Sequence, residues 1–359
     1  MTTNPKPYSC DHAAASDALK NCDAIGIDTE FVRERTYFAH LCLIQVSAGG
    51  DTFIVDPLAS GAVDDLLTDL AAKRWILHSG RQDIEILYQA IGRMPSDLFD
   101  TQIAAALCGM APQIGYAGLV KTLFDVELSK SQTRADWSRR PLSPKMLDYA
   151  AEDVEFLHSA HEMLAEQLNA KGRLHWAEED SKALMDPVLY EIDPTAAVSR
   201  LKAARNMRGA ARRAAVALAE WRERQALAAN RPRQWIIRDA TLAAIAERRP
   251  AHVDELSRID GLAPGTLRRS GKELIDLVRN AASGSDDYRP PRRPDERDKA
   301  ALKAMQKTVS AIADELGIAA EVVAPRKELA AIMSGERDVR ALSGWRREIV
   351  GERILELVD

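Results

Sequence analysis

The first half of the chain alternates between two spacings of its hydrophobic residues. Short apolar runs rich in Ile, Val and Phe predict β-strands at positions 24–31, 40–47, 52–55 and 74–78. Apolar residues three and four apart predict helices at positions 63–72, 82–91, 99–107, 118–124 and 144–167. The Gly-Gly-Asp sequence at 49–51 predicts a hairpin between the second and third strands. An antiparallel pair followed by alternating strands and helices predicts a mixed sheet covered by helices.

The second half shows helical spacing, interrupted at 283–294 by a Pro-rich, charged stretch with the composition of a linker. The sequence LAAI occurs at 242–245 and again at 329–332, and each copy precedes a Leu-Ser pair and a closing helix. This echo predicts two degenerate copies of one helical module. We therefore expect an α/β domain over 1–180, a connecting segment over 181–206, a helical domain over 207–283, a linker over 284–295 and a second helical domain over 296–359.

The charge of the chain is unevenly distributed. The 359 residues carry a net charge of −5, which alone argues against a nucleic-acid partner. Residues 1–199, however, contain 17 Lys and Arg against 30 Asp and Glu, whereas residues 200–283 contain 18 against nine. The basic helical segment can hold phosphates, while the acidic half needs another reason for its carboxylates. Residues 284–359 have lost the positive excess, with 14 against 15, so we expect a packing or spacing role there.

Two simpler features address the cellular compartment. The four cysteines are widely scattered and form neither a CxxC pair nor a dense disulfide pattern, which favours a reducing cytoplasm. The apolar runs are far too short to cross a bilayer, and the N-terminus lacks the pattern of a signal peptide. We expect a cytoplasmic protein without membrane contact.

The pattern Asp28-x-Glu30 places two carboxylates on one face of a predicted strand, because side chains alternate along a strand. Two adjacent carboxylates raise each other's pKa unless a cation lies between them. Such a pair is harmless at a solvent-exposed strand end, which is the simpler interpretation. The neighbouring Ile25 and Ile27 mark a buried strand and weaken that interpretation.

Each of three further residues has an ordinary structural explanation when it is considered alone. Asp83 near the start of a helix can simply favour the helix dipole, and Tyr149 and Asp153 share one face of a helix that is otherwise amphipathic. Together with the strand pair, however, these oxygen ligands can converge on Mg²⁺ or Mn²⁺. Two such ions about 3.5–4 Å apart clamp the attacking and leaving oxygens of a displacement at phosphorus. A tyrosine hydroxyl can orient the attacking water.

Three stretches, 28–31 (DTEF), 78–83 (HSGRQD) and 149–153 (YAAED), resemble the three exonuclease motifs of the DEDDy superfamily. Residues 128–142 (LSKSQTRADWSRRPL) are similar to the ribonuclease D family in particular. The resemblance implies a ribonuclease H-like α/β exonuclease domain with two Mg²⁺ or Mn²⁺ ions. It implies four metal ligands and a tyrosine that positions the attacking water, namely Asp28, Glu30, Asp83, Asp153 and Tyr149. The related branch with histidine in place of Tyr149 is disfavoured.

Residues 207–282 resemble an HRDC domain, a helical module shared by RecQ helicases and ribonuclease D. Together with the internal echo, this resemblance implies two all-α HRDC-type domains. The stretch 259–267 (IDGLAPGTL) is similar to a helix–hairpin–helix turn, although Ala263 replaces its second glycine. A helix predicted over 201–228 places Arg205, Arg208 and Arg212 on one face as candidate RNA-binding residues. Lys130, Arg139 and Arg140 are further phosphate-binding candidates, and Trp137 is expected to pack. A purely structural role for the helical module stays open.

These observations favour a 3′→5′ exoribonuclease that releases 5′-mononucleotides. The resemblance implies substrates with a single-stranded RNA 3′ end, such as tRNA precursors and other small structured RNAs, and we expect a monomer. A DNA exonuclease is an open alternative, because the metals act on phosphate and no residue is identified that reads the 2′-hydroxyl. A non-catalytic RNA-binding protein is a further alternative, and it predicts loss of at least one of the four carboxylates.

Overall fold

A mixed sheet forms the centre of the N-terminal domain. In this computed structural model, which describes residues 7–59, 63–129, 132, 135–284 and 295–358, six strands have the order β1-β4-β3-β2-β5-β6. The strands are β1 (Tyr8–Ser9), β2 (Ala24–Val32), β3 (His40–Ala48), β4 (Asp51–Val55), β5 (Arg74–Leu77) and β6 (Asp97–Asp100). The β3–β4 pair is antiparallel, whereas β1–β4, β2–β5 and β5–β6 are parallel. The predicted mixed sheet is confirmed.

The predicted hairpin between β3 and β4 is also present. Gly49 and Gly50 have φ angles of 62° and 94°, and Ala48 pairs with Asp51 across the turn. A two-residue turn with positive φ at both positions matches the right-handed twist of the strands, and glycine adopts it without steric cost.

Eight helices surround the sheet in the described part of the domain. They are α1 (His12–Lys20), α2 (Asp64–Ala71), α3 (Arg81–Ile91), α4 (Thr101–Cys108), α5 (Tyr116–Phe124), α6 (Pro144–Glu155), α7 (Leu157–Ala170) and α8 (Leu174–Lys182). The helix predicted over 99–107 was wrong at its start, because Phe99 belongs to β6 and Asp100 caps α4 by accepting from the amides of Gln102 and Ile103. A four-residue strand directly before a helix is too short to show its own periodicity.

The helix predicted over 144–167 is two helices that meet at Phe156. The amide of Phe156 donates a 3.0 Å hydrogen bond to the Tyr116 hydroxyl instead of continuing the helical ladder. This break is set by a tertiary contact across 40 residues of sequence, which periodicity does not report.

A second compact unit contains the basic helices together with residues 33–40, the segment between β2 and β3. Its helices are α9 (Gly209–Ala228), α10 (Arg233–Ile236), α11 (Asp239–Arg248), α12 (Val253–Ser257) and α13 (Pro264–Asn280). The buried Tyr37 donates its hydroxyl hydrogen bond to Glu223, and the side-chain oxygen of Asn230 accepts from the amides of Tyr37 at 3.0 Å and Phe38 at 3.1 Å. The 33–40 segment is thus part of the helical unit's own packing.

The single helix predicted over 201–228 was wrong at its N-terminal end. Short 3₁₀ segments, Pro194–Arg200 and Lys202–Asn206, precede α9. Gly209 has a φ of 53°, a left-handed conformation that prevents the helix from extending backwards. Arg205, Arg208 and Arg212 therefore do not share one helical face, since Arg205 lies in a 3₁₀ turn and Arg208 precedes the helix.

The C-terminal helices share a hydrophobic core with the α/β domain and belong to the same compact unit. They are α14 (Glu296–Leu316), α15 (Ala320–Val323), α16 (Arg326–Met333), α17 (Gly344–Arg346) and α18 (Glu352–Leu355). Trp345 stacks on Trp176 of α8, with ring centroids 4.3 Å apart and planes 8° from parallel. Beside this stack, Arg346 forms a buried ion pair with Asp180, in which Nη2 lies 2.7 Å from Oδ2. These contacts agree with the expected packing role.

We expect Arg346→Ala to destabilise the chain by about 3–5 kcal/mol, because it leaves the largely buried carboxylate of Asp180 without its cationic partner. Urea unfolding measures the loss. Arg347→Ala is the matched control, since Arg347 and its partner Glu352 are 60% and 62% exposed, and its effect should stay within about 0.5 kcal/mol. Equal stabilities of the two variants would contradict a structural role for the buried pair.

Among the residues that the structure describes, none of the helices has the length and apolar character that a bilayer crossing requires.

Candidate active site

A cavity of about 260 Å³ lies where β2, the first turn of α3 and the middle of α6 meet. All five residues predicted to form the site line this cavity, namely Asp28, Glu30, Asp83, Tyr149 and Asp153. They come from three elements that together span more than 120 positions of sequence. The structure therefore brings together the residues that suggested a metal site through their combination in the sequence, rather than through any single spacing.

The loop that leads into α3 is held by a residue that the sequence did not single out. Ser79 has a φ of 57°, an unfavourable conformation for a residue with a side chain. The buried carboxylate of Asp100 accepts hydrogen bonds from the amides of Ser79 at 3.1 Å and Gly80 at 2.9 Å. Since Asp83 follows three residues later on α3, Asp100 fixes the start of the helix that presents Asp83 to the cavity.

His78, at the start of this loop, forms hydrogen bonds with neighbouring segments of the chain. Its Nδ1 lies 2.9 Å from the Thr101 hydroxyl, and its Nε2 lies 2.9 Å from the Ile114 carbonyl oxygen. With both ring nitrogens hydrogen-bonded, the side chain joins the loop to α4 and to the segment before α5. Burial lowers its pKa. These contacts support a role for His78 in orienting the loop.

Tyr149 is positioned by one contact of its hydroxyl group and one of its ring. Its hydroxyl hydrogen-bonds to Asp153 one turn later on α6. Its ring lies 6.1 Å, centroid to centroid, from Trp137, which is only 2% exposed. Trp137 therefore packs, as predicted. Tyr116 lines the same cavity and was missed by the sequence analysis, since its contact with Phe156 depends on the folded arrangement.

Burial raises the pKa of all four carboxyl groups, and neighbouring carboxylates of the cluster add to the rise for Asp28, Glu30 and Asp153. The pKa of Asp28 lies well above its ordinary value because of burial first, and then because of the charges of Asp83, Asp153 and Glu30. Burial and the neighbouring carboxylates raise the pKa of Glu30 to about 8 and that of Asp153 to about 8, and burial raises the pKa of Asp83 to about 6. A hydrogen bond from Tyr149 acts in the opposite direction on Asp153.

The donor set fits hard divalent cations. Among the described residues, no Lys or Arg forms an ion pair with any of these four carboxylates. Buried carboxylates without cationic partners bind either protons or metal ions, and Mg²⁺ and Mn²⁺ prefer such oxygen ligands. The four groups line one cavity without surrounding a common point, since within the described ranges no three Asp, Glu, His or Cys side chains enclose a single ion position. The Thr29 hydroxyl holds Asp83 Oδ1 at 2.5 Å.

The raised pKa values lead to a prediction for stability. A carboxyl group with a higher pKa in the folded state binds more protons when folded, so the free energy of unfolding falls as pH rises from the unfolded to the folded pKa. For Glu30 and Asp153 this interval runs from ordinary values of 4.5 and 3.8 up to about 8. Asp28→Asn removes one charge from the cluster. Without divalent cations, we expect its stability relative to the parent chain to increase from about pH 5 to about pH 8.

Urea unfolding of both proteins in EDTA across this pH range measures that difference. The parent chain is needed as a reference because burial lowers the pKa of His78 and His161. A lowered histidine pKa makes stability increase with pH in both proteins, so this effect cancels in the difference. A difference that stays constant over the range would contradict the electrostatic coupling of the four carboxyl groups.

The other residues predicted in this domain are the candidates for phosphate binding, Lys130, Arg139 and Arg140. Neither Arg139 nor Arg140 lines the carboxylate cavity. Arg140 is held by Asp56, with Nη2 2.6 Å from Oδ1, while Arg139 is 84% exposed and pairs with Asp136. Lys130 lies outside the described residues.

Two of the three candidate arginines of the second unit, Arg208 and Arg212, donate to backbone carbonyls beside the start of α9. Arg208 Nη1 donates to the carbonyl oxygen of Arg205 at 3.2 Å, and Arg212 Nη1 donates to that of Ala204 at 2.8 Å. Arg205 and Arg208 remain exposed to solvent. These contacts hold the 3₁₀ segment against the helix.

Comparison with known proteins identifies the families of the sheet-containing domain and of the basic helices. Residues 9–169 match the family of 3′–5′ exonuclease domains, and residues 211–278 match the HRDC domain family. Ribonuclease D of Gluconacetobacter diazotrophicus is 36% identical over 96% of this chain and 89% of its own length. Ribonuclease D of Xanthomonas oryzae is 34% identical over 93% of each chain. The sheet-containing domain is therefore an exonuclease domain, and the basic helices form an HRDC domain.

A solved structure agrees over nearly the whole chain. Escherichia coli RNase D, described as an exoribonuclease involved in structured RNA processing, superposes with a TM-score of 0.87 at 30% sequence identity and covers 99% of both chains. The predicted exonuclease and HRDC folds are thereby confirmed, while the second HRDC-type domain stays a prediction. The chain belongs to the ribonuclease D family and is a 3′→5′ exoribonuclease.

Proposed function

We propose that the chain hydrolyses RNA from the 3′ end to 5′-mononucleotides with two divalent metal ions at the cavity between β2, α3 and α6. The observation that carries this proposal is the convergence on one cavity of four carboxylates, buried or half-buried, without cationic partners among the described residues. Asp28, Glu30, Asp83 and Asp153 would hold the ions. When bound, two such ions lower the pKa of a water nucleophile and neutralise charge on the departing 3′-oxygen.

The chain's own residues organise the remainder of the site. Tyr149 lies beside Asp153, where its hydroxyl can orient the water that attacks phosphorus. Trp137 restricts the Tyr149 ring by packing near it. Asp100 fixes the loop before α3, and with it the position of Asp83. These contacts pre-position the reacting groups, which is the protein's main contribution to a displacement at phosphorus.

We propose tRNA precursors and other small structured RNAs with a single-stranded 3′ end as substrates. The role of the E. coli relative in structured RNA processing supports this class. The positive excess of residues 200–283 supports an RNA-binding role for the HRDC domain, with Arg205, Arg208 and Arg212 contributing charge near α9. In the exonuclease domain, Arg139 keeps the exposure that a phosphate contact needs, whereas Arg140 is held by Asp56. Lys130 remains a sequence-based candidate.

We further propose that residues 296–359 are a degenerate second HRDC-type domain. The repeated LAAI sequence lies on a helix in both places, α11 and α16, which supports a common origin of the two segments. We also propose a monomer in the cytoplasm. The four cysteines are free, which supports a reducing compartment.

The test is a time course on RNA labelled at its 5′ end and carrying a single-stranded 3′ overhang, with Mg²⁺ or with EDTA. We expect a ladder of progressively shorter labelled fragments, release of 5′-mononucleotides, and no reaction in EDTA. A DNA of matched sequence separates the two polymers, because preference for RNA requires contact with the 2′-hydroxyl. Internal cleavage, or an unchanged rate in EDTA, would contradict the proposal.

A further inference from the structure

Trp235 differs from every other tryptophan in the chain. It is 60% exposed, whereas the other five tryptophans are 8% exposed or less. An indole left in water loses the free energy that its burial would contribute, so an exposed tryptophan in a folded domain calls for another reason. The exposed ring lies on α10, within the second compact unit.

The ring faces a cleft of about 740 Å³ inside that unit, which we call the Trp235 cleft. It lies between the segment 231–238 and the turn 261–263 that precedes α13. The turn has a fixed shape, because Gly261 has a φ of 80° and a Cβ there would lie 2.5 Å from the Thr241 hydroxyl oxygen. The same hydroxyl donates to the Asp260 carbonyl oxygen at 3.0 Å. The wall formed by this turn is therefore set by the fold.

The walls of the Trp235 cleft are positive. Arg231 and Arg238 line it, and neither forms an ion pair with a residue in the described part of the chain. No Asp or Glu occurs among the described residues that line it. At its other wall α13, a helix of 17 residues, begins without a side-chain cap, so that its first amides and its dipole add positive character.

Ala263, which replaces the second glycine of the hairpin motif, does not disturb this wall. Its φ and ψ of −65° and 138° are ordinary extended values that any residue with a side chain adopts. Alanine in place of the second glycine therefore has no conformational cost here.

We infer that the Trp235 cleft binds a segment of single-stranded RNA, with one base stacked on the indole ring and the flanking phosphates on Arg231 and Arg238. This inference deepens the proposed function by naming where the HRDC domain contacts the substrate. An exposed aromatic face between guanidinium groups matches an unpaired nucleotide, since each base has a stacking face and each phosphate one negative charge. A base inside a duplex has no free face, and an acidic peptide would use the arginines but not the flat ring.

Equilibrium binding of a fluorescent single-stranded RNA to the full chain in EDTA tests the inference without turnover. Trp235→Ala should weaken binding about tenfold or more, which corresponds to one lost stacked base. Trp235→Phe keeps an aromatic face and should restore most of the affinity. Val253→Ala, which trims a 42%-exposed apolar side chain of the same unit, should leave the affinity unchanged. Thermal unfolding verifies that each variant is folded.

Two further readouts separate stacking from charge. Arg238→Ala should lower the slope of log K against log salt by about 1, whereas Trp235→Ala should leave this slope unchanged. RNA should quench the tryptophan fluorescence of the parent chain, and Trp235→Phe should remove that signal while retaining affinity, because the other tryptophans are buried.

Unchanged RNA affinity in Trp235→Ala would overturn the inference, as would equally effective displacement of the RNA by a blunt duplex or by polyglutamate. The proposed function fails independently of these results. If the parent chain binds RNA through Trp235 but releases no mononucleotides in Mg²⁺, the hydrolytic site is wrong and the binding site stands. If Mg²⁺-dependent release is intact but RNA affinity does not depend on Trp235, the hydrolytic site stands and the binding site is wrong.

Discussion

Asp28→Asn should lower kcat for release of mononucleotides by about 10³-fold or more, because it removes a ligand whose charge a divalent cation needs. Asn keeps the size of the side chain but carries no negative charge. The pKa of Asp28 is raised by burial and by three neighbouring carboxylates, so the ionised side chain is unfavourable unless a cation is bound. The variant should therefore stay folded while losing metal binding.

Mononucleotide release at saturating Mg²⁺ measures kcat, and calorimetric titration of Mg²⁺ or Mn²⁺ measures metal binding. Asp17→Asn is the matched control, because Asp17 on α1 is 75% exposed and pairs with the exposed Lys20. It should retain normal turnover. Near-normal turnover of Asp28→Asn itself would remove this residue from the mechanism, and loss of folding would show that its charge serves the structure instead.

The elements that carry the site were largely predictable from sequence, for a physical reason. Asp28 and Glu30 lie on a strand whose flanking isoleucines are fully buried, and Tyr149 and Asp153 lie one helical turn apart. Local periodicity determines which of these side chains share a face. Their convergence with Asp83 depends on the sheet order, which periodicity does not contain, and it was expected only from the resemblance to known motifs.

Residues that act through backbone contacts were not predictable. Asp100 accepts from amides about 20 positions earlier in the chain, and as a sequence feature it is an ordinary helix-capping aspartate. Tyr116 is linked to the break at Phe156 across 40 positions. No pattern in the sequence distinguishes these residues from others of their type, because their roles exist only in the folded chain.

The division into consecutive domains was likewise a simplification. The buried Tyr37 belongs to the packing of the helical unit although it lies between two strands of the exonuclease sheet. The C-terminal helices complete a core that includes Phe99 and Trp176. Truncation at residue 200 would remove partners from both regions, so loss of activity in such a fragment would not measure the contribution of the HRDC domain. Point variants such as Trp235→Phe separate the roles more cleanly.

Tyr149→Phe should lower kcat by about 10²-fold, a typical contribution of one group that orients or assists proton transfer, while leaving KM for RNA nearly unchanged. Phe keeps the ring near Trp137, so only the hydroxyl is lost. Tyr88→Phe, outside the cavity on α3, controls for the removal of a tyrosine hydroxyl and should have little effect. Steady-state kinetics on a single-stranded RNA measure both constants.

The pH profile of Tyr149→Phe decides between two roles for the hydroxyl. In the metal-free chain its hydrogen bond lowers the pKa of Asp153, so its removal raises that pKa and makes a proton compete more strongly with a metal ion for this carboxyl group at neutral pH. If this were its only role, raising the pH to about 9 in excess Mg²⁺ would restore the rate, because Asp153 would ionise again. We expect the rate to stay low across the profile, since the water would still lack the group that orients it. Full recovery at high pH would instead assign Tyr149 to the electrostatics of Asp153.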